Sequence, residues 1–119
     1  MNEVVRAALV QQRWTGDKDS MIQASVDAIA SAASQGAQVV CLQELFYGPY
    51  FCQVQDTEYY SYTEAVPDGP TTRLMQEVAE RHGIVVVAPM YEQEQPGLLY
   101  NTAAVIDADG TYLGKYRKN

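Results

Sequence analysis

Glu44 and Lys118 are side chains whose types and positions could support proton transfer and the stabilisation of an oxyanion. Glu44 follows a predicted buried strand by two residues, and ligands of open α/β sheets bind beyond the carboxyl ends of the strands. The apolar neighbours Leu45 and Phe46 predict that desolvation raises the pKa of this carboxyl toward the range of a general base. Lys118 ends the last predicted strand, where an ammonium group could orient a carboxylate or stabilise an oxyanion.

Both residues also have a simpler interpretation. Glu44 could be a surface glutamate at the start of a loop, and Lys118 could belong to a solvated basic cluster over residues 115–118. Position alone favours the simpler interpretation of each residue, because structural ion pairs and exposed charges are common.

Other reactive residue types give weaker signals. Cys41 lies inside a predicted strand and is expected to be a buried, inert thiol. Cys52 lies in a long loop, but it has neither a neighbouring histidine nor a second cysteine at CxxC spacing. His82 is the single histidine, which argues against a histidine-rich metal site and a Ser-His-Asp triad. Asp107 and Asp109 lie in a predicted hairpin turn, where aspartate is favoured because its side chain hydrogen-bonds the nearby backbone. The sequence contains no glycine-rich phosphate-binding motif.

The composition excludes several classes of protein. The 119 residues carry 8 Lys+Arg against 15 Asp+Glu, for a net charge of −7, which argues against binding to nucleic-acid phosphates or anionic membranes. Hydrophobic residues make up 47% and charged residues 19%, as in a globular domain. No apolar run approaches the ~20 residues of a membrane span. Two cysteines cannot build a disulfide framework, so we expect a reducing, cytoplasmic location.

Hydrophobic periodicity predicts an α/β chain with the order β-α-β-loop-α-β-β-β. The predicted strands cover residues 4–10, 37–42, 84–88, 99–106 and 111–117. One helix is predicted to begin near Asp19 or Ser20 and end at Gly36, and another to run from Pro70 to Gly83. The first β-α-β unit implies parallel strands, whereas a turn at 107–110 implies a final antiparallel hairpin.

Two segments are predicted to lack regular structure. Residues 43–70 form a long tyrosine-rich loop, and loops of this length are usually functional; residues 92–97 are predicted to form a polar loop. Two helices can cover one face of the sheet, and parallel sheets are normally covered on both. We therefore expect a partner or further sequence on the other face.

Several motifs together resemble the nitrilase superfamily of carbon–nitrogen hydrolases. They occur in the family's order and spacing across the whole chain, and they are residues 7–11, 39–46, 67–71, 100–103 and 107–119. Within the superfamily, residues 49–53 and 117–119 are most similar to N-carbamoyl amide hydrolases, namely β-ureidopropionase and N-carbamoylputrescine amidase.

The resemblance implies an activity that the residues alone do not establish. It implies the N-terminal half of a four-layer α-β-β-α sandwich, with residues 1–119 as a partial carbon–nitrogen hydrolase domain. Glu44 matches the general base and Lys118 the lysine that stabilises the tetrahedral intermediate, while Tyr50 and Asn101 are candidates for the substrate pocket. The family's nucleophilic cysteine is expected beyond residue 119, and neither cysteine of this chain matches it, so the chain alone is expected to be inactive.

The resemblance also implies a small N-carbamoyl substrate, no metal or organic cofactor, and a homo-oligomer when the protein is complete. Other interpretations stay open: a family amidase or nitrilase with a different substrate, a non-catalytic α/β interaction module or truncated pseudoenzyme, or an independent doubly wound domain that binds a small ligand.

Overall fold

The computed structural model describes residues 4–50 and 56–119. Its elements are β1 (Ala7–Leu9), α1 (Lys18–Ser34), β2 (Val39–Cys41), a 3₁₀ helix (Thr57–Tyr62), α2 (Pro70–His82), β3 (Val85–Gln95), β4 (Leu98–Ile106) and β5 (Tyr112–Arg117). The predicted order of strands and helices is confirmed, with the 3₁₀ helix added inside the long loop.

The five strands form one mixed sheet in the order β1-β2-β3-β4-β5. The strands β1, β2 and β3 are parallel to one another, and Val40 pairs with Ala8 on one side and Val86 on the other. Antiparallel pairing joins β3 to β4 and β4 to β5. The predicted change from parallel strands to a final antiparallel hairpin is therefore confirmed.

The two helices begin and end where local chemistry satisfies their backbone. The side chain of Asp17 caps α1 by accepting a hydrogen bond from the Ser20 amide at 2.8 Å, so the predicted cap at Asp19 or Ser20 was two or three residues late. Pro70 occupies the first turn of α2, and Gly83 ends this helix in the left-handed conformation with φ 61°. Both ends of α2 are confirmed.

The two faces of the sheet differ in burial. Val86, Ala88 and Met90 alternate along β3 on the face that packs under the helices, and all three are buried. On the opposite face, Leu9 and Tyr116 are exposed over 85% and 65% of their surfaces. The expectation that the helices cover only one face thus agrees with the part of the chain that the structure describes.

Other predicted extents also differ from the structure. The first strand is confined to Ala7–Leu9 rather than 4–10, because its partner β2 offers only Val39–Cys41 for pairing. Strand β3 continues to Gln95 through the predicted polar loop, because Glu92 is buried and paired. The segment 43–70 was expected to have no regular structure, but it contains the 3₁₀ helix and a parallel bridge between residues 64 and 92.

Within the described residues, no helix is both long enough and apolar enough to cross a membrane.

Candidate active site

The chain that leaves β2 carries Glu44 along the side of β3. The Leu42 amide donates to the Val87 carbonyl at 3.0 Å, and the Phe46 amide donates to the Pro89 carbonyl at 3.1 Å. These bonds hold residues 42–46 beside the sheet, beyond the carboxyl end of β2. Glu44 therefore lies where the sequence predicted, at the strand ends of an α/β sheet.

The backbone turns sharply next to Glu44. Leu45 has a φ of 51°, which is uncommon for a residue with a branched side chain and costs roughly 1–2 kcal/mol. Its side chain and that of Phe46 are each only 1% exposed. Burial of these two apolar groups offsets the strained backbone and leaves Glu44 on the outside of the turn.

Two donors from the last two strands meet the Glu44 carboxylate. Lys118 Nζ lies 2.6 Å from Glu44 Oε1, and Asn101 Nδ2 donates to the same oxygen at 2.7 Å. The Lys118 amide also donates to the Asn101 carbonyl at 2.9 Å, so the β4–β5 ladder sets the spacing of the two donors. The structure thus brings together three of the four predicted site residues.

The electrostatics of Glu44 differ from the expectation. The hydrogen bond from Lys118 lowers the pKa of Glu44 below its ordinary value; partial desolvation opposes this effect, and the bond from Asn101 adds to it. The predicted upward shift of the pKa was wrong because Leu45 and Phe46 turn into the core while the Glu44 side chain stays 40% exposed. Glu44 is therefore a carboxylate at neutral pH.

Tyr50, the substrate-pocket candidate of the long loop, and Cys52, which was not expected to be the nucleophile, have different outcomes. Tyr50 is 46% exposed and follows Pro49, whose carbonyl accepts a hydrogen bond from the Tyr91 hydroxyl. Its role in a substrate pocket stays a prediction. Cys52 lies outside the described residues.

Cys41 is a half-buried free thiol on β2, whose Sγ lies 3.5 Å from the Leu42 carbonyl oxygen. It faces the open side of the sheet, so it is less buried than predicted. Across residues 4–50 and 56–119, no group of three or more His, Cys, Asp or Glu side chains is placed to hold a metal ion.

Sequence reasoning missed a second carboxylate cluster, which we call the Glu92 clamp: Glu92, Thr102, Lys115 and Arg117. Glu92 is 1% exposed. Arg117 binds it with two hydrogen bonds, from Nε to Oε1 at 2.8 Å and from Nη2 to Oε2 at 3.0 Å. Thr102 Oγ1 donates at 2.7 Å, and Lys115 Nζ binds Glu92 Oε2. Burial disfavours the charged form, but these donors outweigh it and lower the pKa of Glu92 to about 2.

A period of two could have indicated the face on which the clamp residues lie, although not their pairing. Glu92 continues the alternation of Val86, Ala88 and Met90, which places its carboxylate on the buried face. Lys115 and Arg117 alternate in the same way along β5, and a buried carboxylate needs such partners.

The chain is similar to known proteins over nearly its whole length. Residues 6–119 match the family described as carbon-nitrogen hydrolase. N-carbamoylputrescine amidase of Solanum lycopersicum is 37% identical over 118 residues, which are 99% of this chain and 39% of the relative. Omega-amidase NIT2 of Homo sapiens is 38% identical over 114 residues, which are 95% of this chain and 39% of the relative.

The fold is similar to that of a solved protein. The crystal structure of a carbon-nitrogen hydrolase from Helicobacter pylori G27 superimposes with a TM-score of 0.87 at 26% identity, over 96% of this chain and 39% of that one. The chain thus spans about two fifths of the length of these three proteins.

Proposed function

The chain belongs to the carbon–nitrogen hydrolase family, and from this membership we propose that the complete protein hydrolyses the carbon–nitrogen bond of a small N-carbamoyl amine. The membership confirms the predicted family and fold class, since the mixed five-stranded sheet with its helices is the N-terminal portion of a nitrilase-type domain. Because the chain spans 39% of the relatives' length, the activity is proposed for the complete protein.

One observation carries the proposal: Lys118 and Glu44, 74 residues apart in sequence, are joined at 2.6 Å. The pair lies on the side of the sheet that the helices leave uncovered, and both side chains are exposed, Lys118 over 59% and Glu44 over 40%. A purely structural ion pair at an exposed site contributes little to stability. Its exposure instead leaves an ionised base and an ammonium group within reach of a substrate.

We assign Glu44 the role of general base and Lys118 that of oxyanion stabiliser. Glu44 takes the proton of a cysteine thiol supplied from outside these 119 residues, and the thiolate sulfur bonds to the carbamoyl carbon. The positive charge of Lys118 stabilises the developing oxyanion. The carbon–nitrogen bond then breaks, and ammonia leaves with the proton.

A water molecule completes the turnover. Glu44 accepts a proton from water as the water oxygen attacks the thiocarbamate carbon; the carbon–sulfur bond then breaks, and Glu44 returns the proton to the sulfur, which regenerates the thiol. The released carbamic acid decomposes to carbon dioxide and the free amine. Since protons, water and a thiol account for every step, the proposal requires no metal or organic cofactor.

The charge of the long loop region favours a cationic substrate tail. The segment 43–70 contains five acidic residues and no lysine or arginine, so it offers no cationic side chain to pair with a carboxylate tail. An amine tail such as that of N-carbamoylputrescine suits this charge better than the acid tail of N-carbamoyl-β-alanine.

An ω-amide is the second candidate substrate, because omega-amidase NIT2 is as similar to this chain as N-carbamoylputrescine amidase is. In an ω-amide the same thiol would attack a carboxamide carbon and again release ammonia. For the complete protein we further propose a cytoplasmic location and a homo-oligomeric state, the latter supported by the exposed apolar side of the sheet.

The test is an ammonia-release assay of the complete protein with N-carbamoylputrescine, N-carbamoyl-β-alanine and a dicarboxylic acid monoamide, with and without EDTA. We expect the highest kcat/KM for N-carbamoylputrescine and no effect of EDTA. Highest turnover of the monoamide would transfer the assignment to ω-amides. Absence of ammonia release from all three would favour the non-catalytic interaction module.

A further inference from the structure

The Glu92 clamp and the Glu44–Lys118 pair share the end of β5. Arg117 and Lys118 are consecutive, and the alternation of a strand sends their side chains to opposite faces of the sheet. Arg117 binds the buried Glu92 on the helical face, while Lys118 binds Glu44 on the open face. Whatever fixes Arg117 therefore also fixes the backbone that presents Lys118.

Strand β4 repeats this arrangement for the second donor. Asn101 points to the open face and binds Glu44, and its two neighbours contact the clamp. The ring of Tyr100 lies under the Arg117 guanidinium, with Cζ 3.9 Å from the ring centroid, and Thr102 Oγ1 donates to Glu92 at 2.7 Å. Each donor to Glu44 is thus adjacent in sequence to a residue that binds Glu92: Lys118 follows Arg117, and Asn101 precedes Thr102.

We propose that Glu92 is a positioning residue that fixes Lys118 and Asn101 against Glu44 from the opposite face of the sheet. The inference rests on the proposed function, in which Glu44 and Lys118 act on the substrate. Glu92 itself touches neither of them; it acts through Arg117 and Thr102.

The physical reason is the contrast in burial between the two groups. Lys118 is 59% exposed, so its long side chain would sample many rotamers if the backbone beneath it moved. Glu92 is 1% exposed, and the loss of any hydrogen-bond donor to a buried carboxylate has a high free-energy cost. The clamp therefore holds the β4–β5 edge rigid, and a misplacement of catalytic groups by about 1 Å can cost about 10²-fold in rate.

Two variants test the clamp without removing a group of the Glu44 site. Glu92→Gln keeps the shape of the side chain but cannot pair with two cations. Arg117→Lys keeps the charge but loses the two-pronged contact and the stacking on Tyr100. Glu64→Gln is the matched control, since the side chain of Glu64 is also buried, and its carboxylate binds Lys18 at 3.0 Å and the Thr71 amide at 2.7 Å rather than a residue of the clamp.

The decisive readout is the pKa of Glu44 in the complete protein, measured by carbon-13 NMR of its side-chain carboxyl. We expect this pKa to rise toward its ordinary value in Glu92→Gln and in Arg117→Lys, because the hydrogen bonds from Lys118 and Asn101 to the Glu44 carboxylate are then weaker. Loss of the Glu92 charge by itself would lower the pKa of Glu44. The direction of the change in this pKa therefore separates lost positioning from a direct charge effect. The pKa of Glu44 should stay unchanged in Glu64→Gln.

The kinetic readout follows the same logic. We expect kcat to fall by about tenfold or more in both clamp variants, with KM changed less than about threefold, while Glu64→Gln stays near wild type. An unchanged or lowered pKa of Glu44 in both clamp variants would overturn the positioning role. Should Glu92→Gln not fold, the pKa of Glu44 in Arg117→Lys decides by itself between the two results.

The experiment also separates this inference from the proposed function. A raised pKa of Glu44 in the clamp variants, together with full activity of Glu44→Gln, would support the positioning role and refute the catalytic assignment. The reverse pattern, with an inactive Glu44→Gln and an unmoved pKa in the clamp variants, would refute the positioning role alone.

Discussion

Two glutamates bind side chains of the β4–β5 edge from opposite faces of the sheet, with similar partners and opposite surroundings. Glu44 is bound by Lys118 and an asparagine on the open face, with 40% of its side chain exposed. Glu92 is bound by Lys115 and Arg117 on the helical face and is 1% exposed. Both carboxyls have lowered pKa values.

This contrast shows that a shifted pKa does not by itself identify a functional residue. Glu92 has the larger shift, but its lone pairs are engaged and its surroundings exclude a substrate. The shift of Glu44 is modest, but its carboxylate is accessible beside an exposed ammonium group. We therefore expect substitutions on the open face to change turnover, and substitutions on the helical face to change the free energy of unfolding first.

The largest effect is expected from Glu44→Gln in the complete protein. The amide cannot accept the thiol proton, so kcat should fall by about 10³-fold, whereas the free energy of unfolding should change by less than about 1 kcal/mol because the ion pair is exposed. Ammonia release at saturating substrate and urea unfolding measure the two quantities. Near-normal turnover would end the assignment of Glu44 as the general base.

Lys118→Ala is expected to lower kcat by about 10²–10³-fold, because the developing oxyanion loses its positive partner. The same change should raise the pKa of Glu44 toward its ordinary value, since the hydrogen bond from Lys118 is the main cause of its lowering. Kinetics and carbon-13 NMR check the two effects. Lys118→Arg, which keeps the charge, should retain more activity than Lys118→Ala; equal losses would argue against a charge-based role.

Glu92→Ala, unlike the open-face variants, is expected to have a large effect on stability. It should lower the free energy of unfolding by about 3–5 kcal/mol, since it leaves Arg117 and Lys115 without their buried partner. Urea unfolding of the variant and the wild type gives this difference directly. A loss below about 1 kcal/mol would show that the helical face tolerates unpaired cations and would remove the contrast between the two faces.

The acid dependence of stability should also come mainly from Glu92. Its folded pKa of about 2 lies below the ordinary value of 4.5, so its contribution is present above pH 4.5 and is lost as the pH falls toward 2. The shift corresponds to on the order of 3 kcal/mol. Urea unfolding between pH 6 and pH 2 should show this loss in the wild type and in Glu44→Gln, and a shallower acid dependence in Glu92→Gln.

The smallest effect is expected from Glu94→Gln. Glu94 is 45% exposed and meets Arg117 Nη2 at 3.2 Å, so it is an exposed member of the network around the clamp. We expect a change of less than about 0.5 kcal/mol in the free energy of unfolding and no change in kcat. A larger loss would mean that the exposed rim, rather than the buried carboxylate, holds Arg117.

Local patterns in the sequence predicted most of the fold. Pro70 and Gly83 marked the ends of α2, and the turn at 107–110 marked the final hairpin, because these residue types act on the backbone conformation of their own position. Strand lengths were harder to predict because they depend on the partner: β1 is short since β2 is short.

The same distinction between local pattern and spatial neighbours applies to the candidate site. Motifs predicted Glu44, Lys118 and Asn101 as site residues, and the fold brings them together: Glu44 follows β2, Asn101 lies within β4 and Lys118 follows β5. The pKa of Glu44 was predicted in the wrong direction, because the turn at Leu45 decides which neighbouring side chains enter the core.

Local propensity and motif order predicted the element order, the family and the three residues that the structure brings together on the open face. The burial and pairing of Glu92 came from the three-dimensional fold instead. Its three partners lie on β4 and β5, and strand pairing alone sets their distance from a residue of β3. Burial and charge pairing are properties of neighbours in space, which a linear pattern does not specify.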